Sequence, residues 1–359
     1  MNSKSTITTN SLISREASTA IKGLMILLVV LGHTEMLNTD FATGDKTFFW
    51  HWLYYFHVAI FMILPFIYGY KQTTGVEHAF EKNGWCVDMR NVWSDLNRNL
   101  IRIGIPYCWV FAFSVLLFVT VKSGSFNPQG VLYTFVTGNQ GLMDKYIGFN
   151  FVWFLPAMLA LSFLKSLWYN SSRRVRCCLL TVSVVLWLLA IFRILPQRIP
   201  MYYVPFSLSQ AFYYLLLGLV SRQLVKRLSL KKAMPWIGLL IVAVTTMMYF
   251  QRMGYCPEVI HYSAFFRLVF PVLMFLPIYA MGGWLSKSKF LTFAGKYSFQ
   301  IYLVHVFVIN ALEVVLLHFF NQSIGLGIVI YVVALAISSG LAVLMVKVPF
   351  INKVLFLKG

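Results

Sequence analysis

The most informative feature of this 359-residue sequence is how little charge it carries. Only 11% of its residues are charged, against about 25% in soluble domains, and 59% are hydrophobic. Acidic side chains are the scarcest group: 11 Asp and Glu stand against 30 Lys and Arg, which gives a formal net charge of +19. This composition excludes an ordinary soluble domain and indicates a protein built within a membrane.

The sequence also lacks the patterns typical of metal, nucleotide and disulfide sites. Its five cysteines show neither CxxC spacing nor a Cys/His ligand spacing, so neither a disulfide framework nor a zinc site is predicted. It contains no P-loop, no dinucleotide-binding fingerprint and no serine nucleophile elbow. We therefore predict that the protein holds no metal and no bound cofactor.

Long apolar runs dominate what is present. A helix needs roughly 20 mainly apolar residues to cross a bilayer, and the sequence offers ten runs of about that length. We predict transmembrane helices at residues 20–37, 50–70, 102–121, 150–169, 177–195, 205–221, 234–251, 263–285, 298–318 and 324–346. The predicted fold class is all-α, a polytopic transmembrane helix bundle of about ten spans. We expect a single membrane domain over residues 1–359.

The distribution of Lys and Arg predicts the topology of the bundle. When the N-terminus is placed in the cytoplasm, 23 of these cations fall on the inner side, 6 fall on the outer side and one lies inside the eighth span. Cytoplasmic loops carry such an excess of positive charge, so both termini are predicted to be cytoplasmic. Residues 1–17 form a polar segment, and we expect the first span to be retained because no small-x-small cleavage site follows it. The same bias accounts for the net charge, and no nucleic-acid partner is predicted.

One apolar run has a lysine, Lys22, at one end and a histidine, His33, at the other. Eleven residues of helix carry His33 about 16 Å along the axis and only about 20° around it, so both side chains share one face. Glu35 follows His33 closely. Polar groups are costly to keep in hydrocarbon, so Lys22 and His33 form the first candidate functional site.

Two further sets of polar residues are candidates. His57 and His305 lie inside predicted spans, where a lone histidine is more often a packing residue but three in one bundle favour a shared role. Arg98 and Arg102 are four residues apart at the cytoplasmic end of the third span and share a helix face. They are either topological anchors that contact lipid phosphate or an anion clamp, which Lys22 would complete.

Five motifs along the chain resemble those of one family in their order. The segment from Lys22 to His33 resembles an Arg-x10-His signature with lysine in the arginine position. The other four motifs are Phe56-His57 followed by Phe61, the stretch 101–107 that ends in Pro106-Tyr107, Trp153-Phe154-Leu155 followed by Ala157, and Gly295 with Ser298, Tyr302 and His305. The chain thus resembles, nearly end to end, the acyltransferase-3 family of integral membrane acyltransferases that modify bacterial surface polysaccharides. In having lysine at position 22, the chain resembles the fucose-4-O-acetylase-like branch of this family.

The resemblance implies a reaction. Members move an acyl group, usually acetyl, from a cytoplasmic acyl-CoA to a hydroxyl of a lipid-linked or exported glycan. His33 is then the general base or a transient acyl acceptor, with Glu35 as a second catalytic candidate. The expected donor-binding residues are Lys22, Arg98 and Arg102, and the expected substrate-binding residues are His57, Trp153, Tyr302 and His305.

The resemblance also implies the surroundings of the enzyme. Acetyl-CoA is expected as a donor substrate, and the bilayer and a glycan acceptor are expected as partners. The implied location is the bacterial inner membrane, as a multi-pass protein. Whether the protein forms a homo-oligomer is left open.

Two other interpretations of the sequence remain open. The first is a transporter or flippase that uses the buried histidines as a proton relay. It is disfavoured because the sequence lacks paired, interrupted half-helices in corresponding halves. The second is a non-catalytic assembly partner in a polysaccharide machine.

Overall fold

A computed structural model describes residues 7–9, 11–69, 71–73, 84–121, 126–192, 206–255 and 262–356. These residues are overwhelmingly helical, which confirms the predicted all-α class. Two three-residue strands, Ile7–Thr9 and Lys71–Thr73, pair in antiparallel fashion. Cys256 lies outside the described residues, and the other four cysteines are free thiols.

The helices and strands of the described residues are numbered here in chain order. In order they are β1 (Ile7–Thr9), α1 (Arg15–His33), α2 (Glu35–Asn38), α3 (Phe48–Tyr54), α4 (His57–Ile67), β2 (Lys71–Thr73), α5 (Met89–Asn99), α6 (Ile105–Thr120), α7 (Pro128–Thr137), α8 (Gln140–Ile147), α9 (Phe154–Tyr169), α10 (Arg173–Ile191), α11 (Phe206–Arg227), α12 (Leu230–Arg252), α13 (Tyr262–Ala280), α14 (Gly282–Leu285), α15 (Lys289–Lys296), α16 (Ser298–Leu317), α17 (Ile324–Lys347) and α18 (Pro349–Phe356).

Seven helical segments of the described chain are long and apolar enough to cross a membrane. They are Arg15–His33, Phe48–Ile67, Met89–Thr120, Asn150–Tyr169, Leu230–Arg252, Ser298–Leu317 and Ile324–Lys347. Helices α10, α11 and α13 occupy the positions of the other three predicted spans, and the apolar part of α13 is the shorter Phe265–Ala280. The protein is a multi-pass membrane protein, while the total of ten spans and the cytoplasmic placement of both termini stay predictions.

The chain folds as two compact units. The first unit comprises residues 1–11, 69–219 and 353–359, and the second comprises residues 12–68 and 220–352. The single membrane domain over residues 1–359 stays a prediction.

Helix α1 is the central element of the second unit. The Ser14 side chain accepts a hydrogen bond from the Ala17 backbone N–H at 3.1 Å and caps the helix start. Its apolar residues from Ile21 to Val30 are largely buried. The helix is continuous from Arg15 to His33, so Lys22 and His33 lie on one α-helix, as the sequence predicts.

Two glycines let α1 pack directly against the backbone of α15. A methyl group at Gly23 would overlap the backbone carbonyl of Leu291, and one at Gly295 would overlap the carbonyl of Thr19. Because backbone atoms meet on both sides, rotation of a side chain cannot relieve either overlap. The crossing therefore fixes α1 in its unit.

The predicted second span, 50–70, is not one continuous helix. Helix α3 ends at Tyr54 and α4 begins at His57, with a turn at Tyr55 and Phe56. The Phe56 N–H donates to the Leu53 carbonyl, three residues back, at 3.2 Å, which tightens the chain at the end of α3. The break places His57 in the first turn of a new helix.

The third predicted span, in the first unit, starts earlier than the sequence suggested. Helices α5 and α6 are joined through a π-helical turn, Leu100–Gly104, where the Ile105 N–H donates to the Leu100 carbonyl. Pro106 has no N–H to offer the Arg102 carbonyl, so the α-helical hydrogen-bond ladder is interrupted here. Arg102 consequently lies on the π turn.

Candidate functional site

Three histidines and one tyrosine of the second unit lie together. The rings of His33 and His305 are 4.9 Å apart between centroids and nearly perpendicular. The Tyr54 ring lies 5.9 Å from His33 and 4.8 Å from His57. Helices α1, α3, α4 and α16 therefore bring the three predicted histidines into one cluster around Tyr54.

The protons on the three neutral imidazoles follow from their backbone contacts. In each ring Nδ1 faces a main-chain carbonyl: Val29 at 2.9 Å for His33, Leu53 at 2.6 Å for His57, and Tyr302 at 2.8 Å for His305. A carbonyl oxygen can only accept a hydrogen bond, so each Nδ1 carries the proton. Each Nε2 then carries a lone pair instead of a proton, the form of histidine that can remove a proton.

The three lone pairs have different surroundings. Nε2 of His305 lies 3.4 Å from Nδ1 of His33, and Nε2 of His33 lies 3.3 Å from the Tyr54 hydroxyl. Nε2 of His57 is buried and has no hydrogen-bond partner among the described residues. His57 and His305 are completely buried, whereas His33 is partly exposed. His33 is therefore the histidine that a bound molecule can reach most directly.

The Gly32 carbonyl anchors the aromatic side of the cluster. It accepts a hydrogen bond from Trp50 Nε1 at 3.1 Å and faces the Tyr54 hydroxyl at 3.4 Å. The Trp50 and Tyr54 rings stack with centroids 4.1 Å apart. A methyl group at position 32 would lie 3.0 Å from Tyr54 Cε2, so a residue without a side chain suits this close contact.

Glu35 lies apart from the hydrogen bonds of His33. Thr34 has an extended backbone between α1 and α2, and Glu35 begins the second of these helices. The exposed Glu35 carboxylate accepts hydrogen bonds from Thr39 and Lys46, and the Lys46 contact is an ion pair. The catalytic role of Glu35 stays a prediction, with Lys46 as the partner that the sequence did not suggest.

Lys46 is a second charged residue of this region. It is partly buried, and burial lowers the pKa of its ammonium group, while the charge of Glu313 acts in the opposite direction. One carboxylate oxygen of Glu313 is buried without a hydrogen-bond partner among the described residues. The ammonium of Lys46 thus compensates negative charge from two helices, α2 and α16.

The other predicted substrate-binding residues lie at different places. Tyr302 is buried beside His305, with ring centroids 5.6 Å apart, and its carbonyl orients that histidine. Trp153 belongs to the first unit, where it ends a short 3-10 turn before α9 and is partly exposed. Substrate binding by His57, Trp153, Tyr302 and His305 stays a prediction.

The predicted donor-binding cations are divided between the two units. Lys22 is partly buried on α1 of the second unit. Arg98 and Arg102 are exposed in the first unit, and the Arg98 guanidinium forms an ion pair with Asp95 at 2.6 Å. Asp95 also accepts a hydrogen bond from the Ser166 hydroxyl at 2.7 Å, which links α5 to α9. The three-cation clamp stays a prediction.

The described part of the chain contains no group of three or more His, Cys, Asp or Glu placed to hold a metal ion. Nε2 of His305 lies 3.4 Å from Nδ1 of His33, at the long end of the hydrogen-bond range. The absence of a bound metal or cofactor stays a prediction.

Tyr54 is a member of the cluster that sequence reasoning missed. Its place among the aromatic residues that open the second predicted span is typical of a belt at the membrane surface. The available signal was its position three residues before His57, which places two residues on one helix face. The contact with His33 joins different helices, and sequence spacing does not reveal it.

Comparison with known proteins identifies a similar family. Residues 16–345 match the model of a protein family described as an acyltransferase domain. No curated protein and no solved structure matches the chain. The matched range contains Lys22, His33, His57, Tyr54 and His305, and it covers far more than half of the chain.

Proposed function

This chain belongs to the acyltransferase-3 family and is a membrane acyltransferase, and from that premise we propose that it transfers an acetyl group from cytoplasmic acetyl-CoA to a hydroxyl of a cell-surface glycan. The observation that supports this proposal most directly is the state of His33. It is partly exposed, and the Val29 carbonyl keeps the proton on Nδ1, so that Nε2 carries the lone pair of a base. The proposed location is the bacterial inner membrane, where a cytoplasmic donor and an exported acceptor meet one enzyme.

In the proposed reaction His33 is the general base. Nε2 of His33 receives the proton of the acceptor hydroxyl as the oxygen attacks the thioester carbonyl carbon. The new C–O bond forms, the C–S bond breaks, and the leaving thiolate of CoA takes the proton back from the imidazolium. The reaction therefore consumes no net proton.

His305 is proposed to position His33 and to stabilise its charged form. The lone pair of His305 Nε2 faces Nδ1–H of His33, as does the Val29 carbonyl. Both are electron-rich atoms directed at the proton of a ring that becomes positive during the reaction. His57 has the remaining unsatisfied Nε2, and we propose that it accepts a hydrogen bond from the acceptor.

Lys22 of the second unit is proposed to bind phosphate of acetyl-CoA, and phosphate binding by Arg98 and Arg102 of the first unit is proposed separately. Arginine forks match phosphate oxygens, and lysine contributes a point charge. Helix α1 separates Lys22 from His33 by about 16 Å along its axis, a length similar to that of an extended pantetheine arm. The donor thioester would thus extend along α1 toward the base.

The exposed arginine of the π turn provides a test of donor binding. We expect Arg102→Ala to raise the KM for acetyl-CoA about 10-fold, the effect of one lost charged hydrogen bond, and to change kcat by less than about 2-fold. The measurement is CoA thiol release at varied acetyl-CoA. Arg173→Ala, which removes an exposed arginine of α10, is the matched control and should leave KM unchanged. An unchanged KM in Arg102→Ala would contradict the clamp role of this residue.

The reaction itself is tested by measuring the mass of the glycan product. Surface glycans are extracted from a source strain that lacks the protein, with and without the wild-type gene restored, and analysed by mass spectrometry before and after mild base. We expect an added mass of one acetyl group per modified sugar, labile to base, only when the wild-type protein is present. Identical glycan masses in both strains would contradict glycan O-acetylation.

A further inference from the structure

The lone pair that the proposed reaction needs already has a hydrogen-bond partner. The Tyr54 hydroxyl lies 3.3 Å from His33 Nε2, and the carbonyl of Gly32 lies 3.4 Å from the same hydroxyl. A phenol carries one proton, which it donates to one acceptor at a time. A substrate hydroxyl that approaches Nε2 therefore meets the oxygen of Tyr54 there.

The ring of Tyr54 is held on several sides. Trp50 stacks on it at 4.1 Å, His57 meets its ring at 4.8 Å in an edge arrangement, and Gly32 lies close to Cε2. The Trp50 ring is itself anchored by its hydrogen bond to the Gly32 carbonyl. Displacing Tyr54 would break these contacts together, whereas turning its O–H about the C–O bond moves only a hydrogen atom.

We propose that Tyr54 is a catalytic residue that relays the proton from the acceptor hydroxyl to His33. This inference rests on the proposed function and specifies the path of the proton within it. The acceptor O–H gives its proton to the Tyr54 oxygen while the Tyr54 O–H gives its own proton to Nε2 of His33. The acceptor oxygen forms the ester bond with the acyl carbon, and the C–S bond to CoA breaks.

The arrangement also accommodates the state after transfer. Nε2–H of the charged His33 then donates to the Tyr54 oxygen, and the Tyr54 O–H can turn toward the Gly32 carbonyl. The reverse movement returns the proton through Tyr54 to the thiolate of CoA. Gly32 thus contributes the second acceptor that a relay residue needs.

The test compares Tyr54→Phe with Tyr331→Phe in the purified full-length protein. Tyr54→Phe keeps the ring and its stacking and removes only the hydroxyl. Tyr331→Phe is the matched control, because this hydroxyl also faces a carbonyl of α1, that of Leu27 at 3.5 Å. The assay is release of CoA thiol from acetyl-CoA in a single turnover, with polysaccharide from the strain lacking the protein as the acceptor.

We expect Tyr54→Phe to slow the single-turnover rate about 10²-fold, the lower range for acid–base catalysis, with donor affinity unchanged. Tyr331→Phe should remain within about 2-fold of wild type. A proton inventory in H₂O/D₂O mixtures adds a readout that a structural role does not affect. In the wild-type protein two protons move together, so the plot of rate against deuterium fraction is curved. In Tyr54→Phe one proton is transferred directly, so the same plot is a straight line.

Three results would overturn the relay. They are a straight plot for the wild-type protein, a curved plot that persists in Tyr54→Phe, or a wild-type rate in Tyr54→Phe. The wild-type plot decides the question even where Tyr54→Phe does not accumulate. If His33→Ala loses activity while Tyr54→Phe keeps it, the relay alone is wrong; if both variants are fully active, the proposed role of His33 is wrong as well.

Discussion

Replacing His33 by alanine is expected to lower the rate of acetyl transfer by about 10²- to 10⁴-fold, the usual contribution of a positioned acid–base group. The variant loses the only lone pair of the cluster that is both partly exposed and paired with Tyr54. Alanine favours helix more than histidine does, and the buried residues of α1 stay in place, so the protein should accumulate normally. The measurements are CoA thiol release and the acetyl content of surface glycans.

Two other histidines serve as comparisons for this variant. His318→Ala changes an exposed residue at the end of α16 and should leave the rate unchanged. His305→Ala removes the lone pair that faces Nδ1 of His33, so we expect an intermediate loss in kcat with little change in KM. Undiminished transfer by His33→Ala at wild-type abundance would contradict the base role and would favour the transporter interpretation.

The sequence predicted the part of the site that lies on single helices. Helical periodicity was sufficient to place Lys22 and His33 on one face, because a continuous apolar run dictates one straight helix. The intramembrane location of His57 and His305 pointed to a shared cluster through the cost of burying polar groups. The ring of His305 lies beside that of His33, and the ring of His57 lies beside that of Tyr54, while a shared role of the three histidines stays a prediction.

The contacts between helices could not be predicted in this way. The position of Tyr54 beside His33 depends on the missing side chain of Gly32 and on the turn at Tyr55 and Phe56. Glu35 is close to His33 in sequence, yet the extended Thr34 and the ammonium of Lys46 direct its carboxylate elsewhere. Both outcomes follow from packing and ion pairing between residues that are distant in sequence. Helix propensity and the spacing of residues along the chain carry no information about such contacts.

The crossing of α1 and α15 gives the second large prediction, this one on folding. Gly295→Ala places a methyl group onto the Thr19 carbonyl, and neither helix backbone can yield without moving the whole crossing. Overpacking of a core side chain costs about 1–3 kcal/mol, and we expect about 3 kcal/mol or more here because the overlap is with backbone. The measurements are the yield of folded protein in detergent and its apparent melting temperature.

A glycine with free space around it provides the control. Gly340 lies inside α17 of the same unit, and the position that a methyl group would take there has no neighbouring atom within 4 Å, so Gly340→Ala should leave melting unchanged or raise it slightly. A melting temperature of Gly295→Ala equal to that of Gly340→Ala would contradict the tight crossing. Gly23→Ala acts on the same contact, so the double variant should lose less stability than the sum of the two single losses.

The same crossing links folding to catalysis. His33 and His305 lie on different helices, and their alignment depends on where α1 is held in its unit. In any Gly295→Ala protein that folds, α1 must lie farther from α15, so that the added methyl group no longer overlaps the Thr19 carbonyl. A misplacement of about 1 Å can lower a rate about 10²-fold, so we expect this folded fraction to be slow although His33 and Tyr54 are both intact. Normal activity in the folded fraction would show that the cluster tolerates movement of α1.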